Sequence, residues 1–107
     1  MKQKLNGLDR LLIPKLLPEK GSMLEQTTAK EILDLTKVKT EEFDEYGLVE
    51  LPNGTLDWDK EKIKVEKEFD LNKIHVQALK DAVSKKDKAK EIDLLMLETC
   101  QKIQKMR

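Results

Sequence analysis

Apolar positions follow two periods along this chain of 107 residues: threes and fours towards both ends, twos in the middle. Leu5, Leu8, Leu11, Leu12 and Leu16 keep helical spacing and predict an N-terminal helix. Pro14 has no amide hydrogen, so this helix is expected to kink there or to stop near Ile13. Pro18-Glu19-Lys20-Gly21 reads as a turn. In Ser22-Met23-Leu24-Glu25 the hydroxyl can serve the Glu25 amide while the glutamate reaches back, a capping box. The second helix is predicted over about 23–37, burying Leu24, Thr28, Ile32 and Leu35. Thr40 is expected to cap a very short third helix, with Glu41 and Glu42 at its positive end and Gly47 as its left-handed stop.

In the middle the period changes. Asn53-Gly54 predicts a two-residue type I′ turn, because both central residues of that turn need positive φ. Folding about it sets Leu51 opposite Leu56 and Val49 opposite Trp58, with Glu50, Thr55 and Asp57 on a wet face. Ile63, Val65, Lys67 and Phe69 alternate with Lys64, Glu66 and Glu68 and predict a third strand. Asp70 is expected to cap a helix burying Leu71, Ile74, Ala78, Leu79 and Ala82. Residues 84–90 read as a lysine-rich break, and Asp93 as the cap of a last helix with Leu94, Leu97, Met96, Cys100 and Ile103. The assembly expected is α+β in a single domain over 1–107: N-terminal helices, a three-stranded antiparallel meander with an Asn-Gly hairpin, and two C-terminal helices.

Charge narrows the function classes. Charged residues make up 39% of the chain, yet 21 basic and 21 acidic side chains cancel, so no global field draws it to a polyanion. Only Arg10 and Arg107 supply the planar fork that reads phosphates and base edges. The signs are nonetheless segregated. Glu41, Glu42, Asp44, Glu45, Glu50, Asp57 and Asp59 fall in a stretch without one Lys or Arg. They form a candidate partner surface, able to dock a basic face or to mimic phosphates, although a solvated face is the plainer reading. Two helices, a third helix and a hairpin also follow the order of a winged helix-turn-helix. Its recognition element would be Thr40-Glu41-Glu42-Phe43-Asp44-Glu45-Tyr46, which is short and anionic, and DNA would repel it.

Candidate chemistry is sparse. His75 is the only histidine, bordering an apolar stripe without a Ser, Cys or second His nearby in sequence, and is expected to pack at a boundary. Asp57, Asp59, Glu61 and Glu68 match positions one, three, five and twelve of a calcium loop, but Lys62 stands where that loop needs glycine. Cys100 is alone and lies among apolar residues, so it reads as a small buried hydrophobe. Gly7 and Gly21 stand apart and make no phosphate cradle. No cofactor and no metal site are expected. No stretch reaches the roughly 20 apolar residues of a membrane span, and the lone cysteine fits a reducing, cytoplasmic setting.

Leu11-Leu12-Ile13-Pro14-Lys15-Leu16-Leu17-Pro18-Glu19-Lys20-Gly21, Thr40-Glu41-Glu42, Asn53-Gly54 followed by Trp58, and Glu66-Lys67-Glu68-Phe69 before a helix form a pattern. It resembles a group of small proteins encoded in bacteriophage and prophage genomes, without an assigned activity. Pro14 departs from that group's uninterrupted leucine helix. The resemblance implies a viral or prophage origin and life inside the host cell, and carries no functional residues. The function expected is therefore a non-enzymatic accessory protein that binds another protein, viral or host. Leu94-Leu95-Met96-Leu97 is apolar over more than one helix face and suggests a homo-oligomer. The alternative is a nucleic-acid-associated regulator using Lys85, Lys86, Lys88 and Lys90.

Overall fold

Asn6 decides how the chain begins. Its side-chain oxygen accepts the Asp9 amide at 2.8 Å, and the Asp9 carboxylate takes the Asn6 amide at 2.9 Å. This reciprocal cap starts helix α1 at Gly7 (Gly7–Leu16). Leu5 therefore lies upstream, in strand β1 (Lys2–Asn6), and the expected N-terminal helix is corrected to a strand followed by a helix. Pro14 sits inside α1, which runs on to Leu16 instead of ending at Ile13. The structure, a computed structural model, describes residues 2–107.

The elements that follow are α2 (Met23–Thr36), a 3₁₀ turn over Thr40–Glu42, α3 (Phe43–Tyr46), β2 (Val49–Glu50) and β3 (Leu56–Asp57). A second 3₁₀ turn over Lys62–Lys64, β4 (Glu66–Asp70), α4 (Lys73–Lys88) and α5 (Leu94–Gln104) complete the chain. The class is α+β, but the meander does not form. Among the described residues the strands make two separate antiparallel pairs, β1 with β4 and β2 with β3. The Asp59 carboxylate accepts the amides of Glu61 and Lys62, curling the chain into a turn that buries Ile63 and leads it away from the hairpin. β4 then meets β1 with Lys2 opposite Asp70 and Lys4 opposite Glu68. Opposite charges directly across a ladder stabilise this register.

The hairpin closes differently from the expectation. The Gly54 amide donates to Leu51 O at 2.9 Å and the Leu51 amide to Thr55 O at 2.8 Å, so three residues form the loop. Pro52, with φ fixed by its ring, takes the first central position, and only Gly54 has positive φ, at 83°. This is the type I turn closed by a glycine bulge, not type I′. The register moves by one residue: Val49 pairs with Asp57 and Glu50 with Leu56. A one-residue slip exchanges the faces. Glu50 and Asp57 no longer oppose each other, and Val49, Leu51 and Leu56 stay exposed.

Two core clusters share α1. The larger holds Leu5, Ile13, Leu16, Ile32, Leu79 and Ile103 with their neighbours, drawn from β1, α1, α2, α4 and α5. The smaller holds Tyr46, Leu48 and Ile63, with Leu8, Leu11 and Trp58 packed against it. In α2 the buried residues are Thr28, Ala29, Ile32 and Thr36, and the expected Leu24 and Leu35 face outward. In α4 the cap is Asn72 rather than Asp70, and Ile74 is exposed. The lysine-rich break is corrected as well, since α4 continues to Lys88. The Glu91 amide reaches Lys86 O and the Lys90 amide reaches Asp87 O, with Lys90 at φ 58°: a Schellman stop. Lys85, Lys86 and Lys88 thus occupy a last helical turn, where cations suit the dipole.

Candidate functional site

The acidic stretch is divided by the fold. Glu42 turns inward to Arg10, whose Nη1 and Nη2 lie 2.6 and 2.8 Å from its two oxygens, and Lys67 Nζ reaches it at 2.7 Å. The Arg10 bond, against the opposing effect of burial, holds the Glu42 carboxyl far below the usual carboxylate range, with Lys67 and the Lys39 amide assisting. Glu45 pairs with Lys67 at 2.8 Å. Asp59 is taken up by the amides of Lys62 and Glu61, which lower its pKa. Glu41, Asp44, Glu50 and Asp57 face solvent. Three of the seven residues therefore serve the fold, and four remain on the surface.

Arg10 and Asp9 were invisible as a pair of anchors in the sequence. Arg10 Nε donates to Thr36 O at 2.8 Å, Nη2 to Lys37 O at 2.6 Å, and Nη1 to the Tyr46 hydroxyl at 3.0 Å. Those two carbonyls lie at the end of α2, where no helical partner exists. Asp9 accepts the Thr99 hydroxyl and the Lys102 ammonium, both at 2.5 Å, tying the start of α1 to α5. Burial works against the Lys102 charge, but the bonds to Asp9 and Glu66 prevail and raise its pKa. Both networks are saturated with internal partners. They hold the fold and present no open coordination or hydrogen-bonding position.

The other sequence candidates are placed as follows. His75 is buried at the third position of α4; its Nδ1 takes the Asn72 amide at 3.3 Å and its Nε2 lies 3.1 Å from Glu31 Oε1. Both ring nitrogens are occupied. Burial pushes the Cys100 thiol up, helped by the negative charges of Asp93 and Asp87, which leaves it a poor nucleophile. Asp57 accepts the Trp58 amide, Asp59 caps its own turn, and Glu68 stands opposite Lys4 in the β1–β4 ladder. Among the described residues no three acidic, His or Cys side chains gather as a metal-holding group.

What the surface does offer is a groove. Helices α2 and α4 run antiparallel, with Glu31 beside His75 near one end and Glu25 near Lys85 at the other. Between them lies an open cleft of about 490 Å³. Its apolar lining includes Leu17, Leu24, Ala29, Ile74, Ala78 and Ala82. Three alanines face this trough where longer side chains would have filled it. Leu24 is 76% and Ile74 65% exposed, so the walls are large apolar side chains left in water. The sequence pattern had counted both as core, because a helical stripe locates an apolar face without saying what covers it.

The charges on the rim are unequal in availability. Glu25 Oε1 accepts the Ser22 amide in the capping box, and Asp81 Oδ1 accepts the Gln77 side-chain amide at 2.8 Å. Lys73 and Lys85 form no ion pair among the described residues. The groove is thus lined mainly by apolar side chains, with Lys73 and Lys85 towards the two ends of α4 and Lys85 close enough to Glu25 to help lower its pKa. Comparison with protein-family models, curated proteins and solved structures finds no match to this chain. No helix among the described residues is long and apolar enough to cross a membrane.

Proposed function

We propose that the chain is a non-enzymatic protein-binding module, an accessory protein of the kind phages encode, whose docking surface is the α2–α4 groove. The observation that carries this reading is the pair Leu24 and Ile74, exposed on facing helices above a trough of alanines. Exposed apolar surface rimmed by polar groups is the usual mark of a protein contact. The partner chemistry follows from the rim: an amphipathic helix with apolar anchors at intervals of three and four and acidic flanks to meet Lys73 and Lys85. Glu41, Asp44, Glu50 and Asp57 remain exposed, with Glu50 and Asp57 on opposite faces of the hairpin, so they are suited to steering an encounter rather than to forming one docking face.

The test uses synthetic helical peptides with leucine anchors, in one set flanked by glutamates and in another by lysines. The glutamate set is expected to shift the amide resonances of Leu24, Ile74 and Ala78, and I74K to abolish the effect. If neither set perturbs those residues, the groove is not a docking surface. The nucleic-acid reading is less well supported, because its lysines belong to a helix end. The cleft beside them, lined by Lys15, Lys85 and Lys86, also carries Glu19 and Glu91.

A further inference from the structure

We infer that the groove's occupant is a second copy of this chain, which inserts the N-terminal part of its α5. The inference rests on the protein-binding reading above and names its partner. The segment from Glu91 to Glu98 reads Glu-Ile-Asp-Leu-Leu-Met-Leu-Glu, with three acids and no base. It is an acidic, apolar helical start, complementary to an apolar groove whose lysines, Lys73 and Lys85, form no direct ion pair among the described residues. Leu94 is 89%, Leu95 47% and Leu97 40% exposed, the largest cluster of exposed leucines on one helix. Leu94 and Leu97, three residues apart, share an outward face.

These leucines cannot be covered from within the same chain. The opposite side of α5 is fixed in the core by Thr99, Cys100 and Ile103, and Asp9 grips Thr99 and Lys102. Rotating α5 to bury Leu94 would expose that side and strip the buried Asp9 carboxylate of its Thr99 and Lys102 partners, leaving it only the Asn6 amide. A second copy meets the need without any rearrangement. The contact joins two different surfaces, so two copies close only if each gives its α5 to the other's groove about a two-fold axis. One helix about 16 Å long covers less than the roughly 800 Å² that each partner of a stable complex contributes. The reciprocal arrangement doubles the area and brings the contact towards the size of a stable complex.

Sedimentation velocity across micromolar concentrations tests this, with circular dichroism confirming that each variant is folded. The wild-type mass should rise from 12.4 kDa towards twice that value. Both I74K and L94K alter exposed positions and should each weaken association at least tenfold. Mixing them should recover a heterodimer tighter than either variant alone but weaker than the wild-type pair, because one intact groove then meets one intact α5 while the second contact stays broken. K73E/K85E and E91K/E98K should each weaken association and restore it when mixed. A monomer at every concentration overturns the inference, and so does association that I74K removes but L94K leaves unchanged. A monomer whose groove still takes the glutamate-flanked peptide removes the second copy as occupant and leaves the protein-binding reading standing.

Discussion

Arg10 carries five N–H groups and uses all five: one on Thr36 O, one on Lys37 O, one on the Tyr46 hydroxyl and two on Glu42. Its guanidinium also lies 4.8 Å from the Phe69 ring centre. A lysine has three donors on a single atom and could not reach the α2 carbonyls and Glu42 together. Arg10→Lys is therefore expected to lower the unfolding free energy by about 3 kcal/mol, the scale for breaking a buried ion pair on one side. Urea unfolding at neutral pH checks it, and an unchanged midpoint would contradict the clamp. The acid limb of stability follows from the same pair. The Glu42 carboxyl titrates below its ordinary value of 4.5 in the folded protein, with the Arg10 bond as the main cause. A carboxylate with a depressed folded pKa stabilises above its unfolded pKa and loses that contribution as pH falls. Stability should decline from about pH 5 downward, and Glu42→Gln should be less stable at pH 7 with a flatter acid limb. A variant with the wild-type pH profile would show that another carboxylate governs acid unfolding.

Among the elements, those set by a few adjacent residues were the most legible. The Ser22 and Asp93 caps, the Gly47 stop and the approximate spans of α2 and α5 are readable because a cap and its first turn lie within four residues. Asn6-x-x-Asp9 is the same kind of signal, and in the sequence it was hidden by the leucine period running across it. Faces were harder. Leu24 and Ile74 keep the spacing of core positions, yet only the neighbouring helix decides whether such a position is covered. Strand partners were harder still: β1 and β4 are separated by most of the chain, and their Lys–Asp and Lys–Glu pairing has no local trace. Of the acidic stretch, Glu42 could be recognised as internal only with Arg10 beside it. At the end of α4 the chain uses Lys90 where glycine is usual, with φ 58°. An L-residue in that conformation costs about 1 kcal/mol or more, so Lys90→Gly is expected to stabilise by up to about 1 kcal/mol. Thermal unfolding reads this directly, and a lower midpoint would mean that the lysine side chain makes a compensating contact.

At the scale of the whole molecule, two clusters of unequal size lean on one helix, and this should be visible in how the protein opens. The larger cluster draws on five elements, and Asp9 ties two of them, α1 and α5, together through Thr99 and Lys102. The smaller rests on Tyr46, Leu48 and Ile63, and the hairpin above it contributes a ladder of only two residue pairs. Local opening free energy follows buried apolar contact and protected hydrogen bonds. Amides from Phe43 to Val65 should thus exchange through an opening well below the global one, while those of α1, α4 and α5 exchange only with global unfolding. Arg10 couples the two parts, since it stands on α1 and holds both Glu42 and Tyr46. Arg10→Lys should therefore widen the gap, loosening 43–65 more than α4 or α5. Native-state hydrogen exchange measures both quantities in one experiment. Uniform protection across the two regions, or an Arg10 variant that loosens them equally, would mean that the molecule behaves as one cooperative unit and that the buried guanidinium joins nothing that could come apart separately.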